Sequence, residues 1–254
     1  MPTLHLVRHA QGTHNLTRAN HAHPDPSLTP LGESQCAALA SSFPHHAAIT
    51  HLIASPLRRT LQTCLLSFKP VLELHPEMKV VALPEVQEIS PLPCDVGSEV
   101  GVLEKEFGGT VDLGRVSEGW NVKTGGGRFA PVMGRLEERA REARVWLRRV
   151  GEEWERENPG REANIVVVTH GGFLHFLTQD WDGMNPEKGT GWGNTEWRSY
   201  GFVEEGEGDG EARLVEKPGS WRRRRGSEVG LTETEQMELR VATEGRLVEE
   251  WGGV

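Results

Sequence analysis

The sequence predicts an α/β fold: a mainly parallel central sheet with helices on both faces, in three layers. Three observations point there. Short β-branched runs alternate with stretches of helical periodicity, the pattern of strand–helix units. The run Asn164–Thr169 (NIVVVT) has the composition of a buried strand. Polar residues follow the apolar runs closely, as at Arg8-His9 and His170.

Taken in order, Thr3–Val7 reads as a buried strand ending in Arg8-His9. A helix start follows, where Thr29 can cap, Pro30 fits the first turn and Glu33 lies early; the helix runs through Gln35–Phe43 and stops at Pro44. His51–Ser55 is a second strand, and Pro56 opens a helix through Leu66. Val80–Leu83 is a third strand, followed by a Pro/Gly-broken loop from Pro84 to Gly97. The clearest helix is Arg135–Glu157, because Leu136, Ala140, Ala143, Leu147, Val150 and Trp154 recur in steps of four and three along one face. Asn158-Pro159-Gly160 ends it. After the Asn164–Thr169 strand, Gly171-Gly172 leads into a helix over Phe173–Gln179. Leu231–Glu235 starts a C-terminal helix. One domain over residues 1–254 is expected, with a polar, Gly- and Arg-rich insertion at about 204–230 that reads as a solvated hairpin or partly disordered segment.

Composition narrows the function classes. With 28 Lys+Arg against 37 Asp+Glu the formal net charge is −9, unlike the basic footprint of a nucleic-acid binder. An acidic exterior also repels anions, so a phosphate site needs locally focused positive charge. No run approaches the ~18 apolar residues of a membrane span. Three cysteines (Cys36, Cys64, Cys94) form neither a disulfide framework nor a zinc ribbon, and a reduced, cytoplasmic protein is the default.

Ligands of open parallel sheets bind beyond the carboxyl ends of the strands. Arg8-His9, Arg58-Arg59 and His170 all fall near such ends, so two arginines and two histidines can converge on one crevice. That set suits a phosphoryl group: Arg donates in bidentate fashion to phosphate oxygens, and a neutral His can attack phosphorus. Backbone N–H groups at His170-Gly171-Gly172 are expected to face an anion. Other features carry less. His21-Ala-His23 and His45-His46 resemble metal ligands, but no further ligand completes a site. Gly125–Gly127 before Arg128 lacks the Lys-Ser/Thr of a phosphate loop and reads as plain loop or flap. Trp181, Trp192 and Trp197 either wall a pocket or pack in the core, and Arg222–Arg225 reads as a solvated run.

Four segments together carry a family resemblance. Leu6-Val-Arg8-His9-Ala-Gln-Gly-Thr-His-Asn15 resembles the N-terminal signature of the histidine phosphatase superfamily, the phosphoglycerate-mutase-like group. Leu28-Thr-Pro-Leu-Gly32 with Gln35, Ser55-Pro-Leu-Arg-Arg59-Thr-Leu-Gln-Thr63 and Thr169-His170-Gly171 resemble its later motifs, in register over roughly residues 3–200. Gln87–Ser98 and Gly193–Tyr200 resemble a fungal branch of the superfamily. The resemblance implies that His9 is the nucleophile that becomes phosphohistidine. Arg8 and Arg59 would hold phosphoryl oxygens, and His170 would donate to the transferring group. Glu88 would be the proton donor, with Glu85 and Asp95 as competitors. Asn15, Gln11, Gly171 and Asp95 would line the substrate pocket, and Arg198 is a further candidate. The implied reaction is metal-free hydrolysis of a small phosphorylated metabolite, with no cofactor. A phosphomutase or phosphotransferase using the same phosphohistidine, and a phosphate-binding regulator of weak turnover, are the alternatives. Two departures stand out: Ala10 replaces the glycine of Arg-His-Gly, and Gln11 stands where mutase-like members often carry Glu, which favours a phosphatase.

Overall fold

A computed structural model describes residues 1–185, 189–203 and 210–251. Strand β1 (Thr3–Arg8) sits inside a seven-stranded sheet with β2 (His51–Ala54), β3 (Val80–Ala82), β4 (Val111–Asp112), β5 (Asn164–Thr169), β6 (Trp197–Phe202) and β7 (Leu214–Glu216). The order is β4-β3-β2-β5-β1-β6-β7. The first five strands in that order pair in parallel, and β6 and β7 add an antiparallel edge. The helices are α1 (Pro30–Ser42), α2 (Arg58–Ser67), α3 (Lys69–Leu74), α4 (Val100–Phe107), α5 (Met133–Glu157), α6 (Gly171–Thr178), α7 (Pro218–Arg225) and α8 (Glu233–Trp251).

Strand alternation sorts the core into two layers. Leu4 and Leu6 of β1, Ile53 of β2, and Ile165 and Val167 of β5 pack with α5, α6 and Leu247 of α8. Val7, Leu52, Ala54, Val166 and Val168 point the other way, against Leu39 of α1, Leu61 and Cys64 of α2, Val71 of α3 and Leu103 of α4. The expected three layers are therefore present. On α5 the predicted stripe is buried at Leu136, Ala140, Ala143 and Leu147, while Val150 and Trp154 are only partly covered. The α1 start is as its residues require: Thr29 Oγ1 accepts from Gly32 N–H at 3.0 Å, and Pro30 occupies the first turn. Gly32 also allows a close approach, since a Cβ there would lie 2.2 Å from the Gln11 carbonyl oxygen.

The described part of the 204–230 stretch is more ordered than its composition suggests. Residues 204–209 lie outside the described residues, but Leu214–Glu216 pairs with β6 and Pro218–Arg225 is helical rather than solvated coil. Ser220 Oγ accepts from Ser199 N–H at 3.0 Å, docking α7 on β6. The arginine run is held in place: Arg223 stacks 3.5 Å over Trp197, Arg224 bonds Glu216 at 2.7 Å and Arg225 pairs with Asp182. No helix among the described residues is long and apolar enough to cross a membrane.

His5, on β1, gives the fold an acid limit. Its Nε2 lies 3.3 Å from Asn164 Oδ1 and its Nδ1 2.9 Å from Ser199 Oγ, so the neutral ring is satisfied while buried. Burial pushes its pKa down from 6.5 to about 4. The unfolded chain therefore takes a proton near 6.5 that the folded chain takes only near 4, and stability falls as pH drops through that window. The loss is up to about 3 kcal/mol. Urea midpoints measured from pH 7 to 4 are expected to fall less steeply in His5→Gln than in the wild type; equal slopes would refute this.

Candidate active site

Strands β1, β2 and β5 run the same way, so their carboxyl ends deliver His9, Ser55 and His170 to one edge. All three side chains are buried, as is Arg59 from the first turn of α2. Arg59 is the hub. Its Nη1 donates to the Cys94 carbonyl at 2.7 Å, and its Nη2 to Asp95 Oδ1 at 2.6 Å and to His170 Nδ1 at 3.0 Å. Its Nε donates towards His9 Nε2 at 3.4 Å.

These partners fix both tautomers. His9 Nδ1 lies 2.7 Å from the Ala10 carbonyl. A carbonyl only accepts, so Nδ1 carries the proton and Nε2 keeps its lone pair, facing Arg59. A guanidinium only donates, so His170 Nδ1 accepts and its Nε2–H donates to Ser55 Oγ at 2.9 Å. Burial, reinforced by Arg59, holds both imidazoles well below their usual pKa, and both are neutral at pH 7. His170 thus presents no spare donor until it is protonated.

The Pro84–Gly97 loop supplies two carboxylates with different environments. Asp95 ion-pairs with Arg59 and also accepts from Ser90 Oγ. Burial opposes its charge, but Arg59, then Lys123 and the Ser90 bond, keep its pKa below the usual value. Glu88 Oε1 accepts from Ile89 N–H and Phe173 N–H at 2.9 Å each, and Oε2 from Gly172 N–H at 3.2 Å. The backbone donors at the start of α6, expected to face an external anion, are therefore occupied by Glu88. Gly172 makes room, since a Cβ there would lie 2.7 Å from Glu88 Oε1. Burial and the neighbouring Asp95 raise the Glu88 pKa despite these three bonds. Glu85, the competitor, instead bonds Arg128 at 2.7 Å.

The remaining candidates separate. Arg8 Nη1 donates to the Trp192 carbonyl while its Nε is buried without a partner. Gln11 is turned into the scaffold, its Oε1 accepting from Thr29 Oγ1 at 2.8 Å. Asn15 is exposed and its Oδ1 accepts from Gly12 N–H at 3.1 Å, closing the turn. Gly171 is buried under Thr190, 2.4 Å from where its Cβ would lie. Arg198 lies in a structural network: it bonds Glu196 at 2.7 Å and stacks 3.6 Å over Trp192. Trp181 and Trp192 are buried in the core, and Trp197 packs on Phe43. Ala10 is not among the residues of positive φ, so alanine fits the position that the signature gives to glycine. Among the described residues no three His, Cys, Asp or Glu side chains gather to hold a metal ion.

Sequence reasoning passed over His14 and Lys123. His14 is buried, its ring 5.4 Å from that of His9, with Nδ1 unpartnered. Burial, then Arg59, pushes its pKa down to about 3. It lies inside the N-terminal signature, where its spacing from His9 was available as a signal. Lys123 is buried and donates to the Glu88 and Ser90 carbonyls at 2.7 and 2.9 Å; no motif marks it.

Comparison with known proteins adds to this geometry. A probable phosphatase of Schizosaccharomyces pombe is 33% identical over 110 residues, 42% of this chain, and the match spans about half that relative's length (50%). A mycobacterial glucosyl-3-phosphoglycerate phosphatase superposes with a TM-score of 0.52 at 19% identity, covering 85% of this chain and 97% of its own. The ecdysone phosphate phosphatase of Bombyx mori gives 0.53 at 15% identity, covering 93% and 100%. At such identities these structures speak to the fold alone. The family model described as histidine phosphatase superfamily (branch 1) matches residues 4–208, most of the chain and all four motifs, and the chain belongs to that superfamily.

Proposed function

We propose that this chain is a metal-independent phosphomonoesterase acting on a small phosphorylated metabolite through a phosphohistidine on His9. The observation that carries the reading is the neutral, tautomer-locked His9, whose Nε2 lone pair faces the buried Arg59 guanidinium. His9 Nε2 attacks phosphorus, the P–O bond to the alcohol breaks, and protonated Glu88 gives its proton to the departing oxygen. The Nδ1–H bond to the Ala10 carbonyl stabilises the positive phosphoimidazolium that forms. Water then attacks phosphorus, Glu88 takes its proton, the P–N bond breaks and phosphate leaves. Arg8 and Arg59 supply preorganised positive charge inside an otherwise acidic protein. Burial and then the Arg59 field keep His170 neutral; a bound dianion offsets the second, favouring a proton on Nδ1 that can bond a phosphoryl oxygen. The probable phosphatase of Schizosaccharomyces pombe, 33% identical over 110 residues, supports the reaction class.

Two expected results test this. Hydrolysis of p-nitrophenyl phosphate, with chelator present, should persist well below pH 6.5, because His9 stays neutral there. On an alkyl phosphate, activity should fall on the alkaline side as Glu88 loses its proton, at a pH above the ordinary carboxylate range. Glu88→Gln should abolish that alkaline limb and lower kcat/KM by about 10²–10⁴ on an alkyl phosphate, with a smaller loss on p-nitrophenyl phosphate, whose leaving group needs little protonation. Equal losses on both esters would remove Glu88 from the proton-donor role.

A further inference from the structure

The acid loop is strapped from outside by residues 120–123. Trp120 Nε1 donates to the Ser98 carbonyl at 3.2 Å, Asn121 Nδ2 to the Gly97 carbonyl at 2.8 Å, and Gln87 Nε2 donates back to the Trp120 carbonyl at 2.9 Å. The strap ends at Lys123, only 3% exposed, whose ammonium bonds the main-chain carbonyls of Glu88 at 2.7 Å and Ser90 at 2.9 Å. Arg139 of α5, also buried, donates to the carbonyl of Gln87 at 2.8 Å. Buried cations thus hold the main chain at and on both sides of the carboxyl that must meet the leaving oxygen.

Burying an ammonium is costly unless its donors are satisfied and a counter-charge is near. An apolar strap could hold a loop at lower cost, so the use of a lysine here calls for a reason. Its donors meet carbonyls, which a loop turning this sharply leaves without strand or helix partners. Burial lowers the Lys123 pKa to about 7 against the field of Asp95 and Glu88, the two carboxylates of the loop, and either protonation state keeps N–H donors for both carbonyls. Resting on the proposed role of Glu88, we propose that Lys123 is a positioning residue for proton donation: by gripping the Glu88 and Ser90 carbonyls it keeps the Glu88 carboxyl aimed at the leaving oxygen. Lys123 makes no contact with the reacting phosphoryl group in this role, so its removal should spare attack by His9 and damage the steps that use Glu88, of which kcat/KM reads the first, the one that needs an acid.

The test compares Lys123→Met with wild type and Glu88→Gln on phenethyl phosphate and p-nitrophenyl phosphate. Lys123→Met is expected to lose about 100-fold in kcat/KM on the alkyl ester and less than about 10-fold on the aryl ester, the same asymmetry as Glu88→Gln in weaker form. Thermal melting identifies a variant that fails to fold, in which case Lys123→Gln, which keeps one donor, is read instead and should show an intermediate asymmetry. Equal losses on the two esters in a folded variant would overturn the proposal, because a merely structural lysine lowers both alike. A wild type that hydrolyses neither ester, or a Glu88→Gln without asymmetry, would instead overturn the reading of the site on which it rests.

Discussion

Replacing His9 with alanine is expected to lower kcat/KM on p-nitrophenyl phosphate by about 10⁴-fold or more, because loss of a nucleophile removes the covalent route entirely. No neighbouring group takes over. The His170 nitrogens are engaged with Arg59 and Ser55, and the His14 ring is centred 5.4 Å from that of His9. The fold should survive: the His9 ring bonds the adjacent Ala10 carbonyl, and Arg59, whose Nε loses its acceptor 3.4 Å away, keeps its bonds to the Cys94 carbonyl, Asp95 and His170. Melting should therefore change far less than activity. Rapid quenching of the wild type with a ³²P-labelled ester should trap protein-bound phosphate that is labile in acid and stable in base, as a phosphoramidate is, and His9→Ala should trap none. Turnover retained in that variant would refute the phosphohistidine mechanism, whatever the fold.

Much of this site was legible because strand ends and motifs coincide. Val7 and Val168 lie in adjacent strands at matching register, so the residues that follow them, Arg8-His9 and Thr169-His170, had to meet wherever the two strands paired in parallel. The α5 stripe and the Asn164–Thr169 run were readable for a similar reason: their periodicity is strong over many residues. What escaped was short or depended on tertiary partners. β4 has two residues, and β7 is three residues in a charged stretch that reads as loop until β6 offers it an edge. Helix α7 forms from an arginine run because Trp197, Glu216 and Asp182 neutralise or cover three of the four guanidinium groups. Lys123 was invisible because its role is fixed by two main-chain carbonyls, and carbonyls leave no mark on sequence. The donors at the start of α6 were expected to face a phosphate, but Gly172 and Phe173 N–H bond the Glu88 carboxyl instead.

Arg59→Ala should be the most damaging single change to the molecule, because two functions meet in one guanidinium. For catalysis it removes the buried positive charge that faces His9 Nε2, and kcat/KM should fall by about 10³-fold or more. For stability it strands Asp95, whose Oδ1 loses its 2.6 Å partner inside the protein, and leaves the Cys94 carbonyl without its donor. Breaking one side of such a buried pair costs about 3–5 kcal/mol. In a chain of this size that corresponds to a drop of roughly 10 °C in melting temperature. The two effects can be separated. Arg59→Ala combined with Asp95→Asn removes the stranded charge, so the double variant should melt higher than Arg59→Ala alone while remaining as inactive. Asp95→Asn alone should keep a substantial part of the activity, since Arg59 retains its charge and its bond to the Cys94 carbonyl and gains freedom to turn towards a bound phosphoryl group. If the double variant melted no higher than Arg59→Ala, the Arg59–Asp95 pair would not be what ties the acid loop to α2. If it recovered activity along with stability, the low turnover of Arg59→Ala would be a folding defect rather than the loss of a phosphate-holding charge.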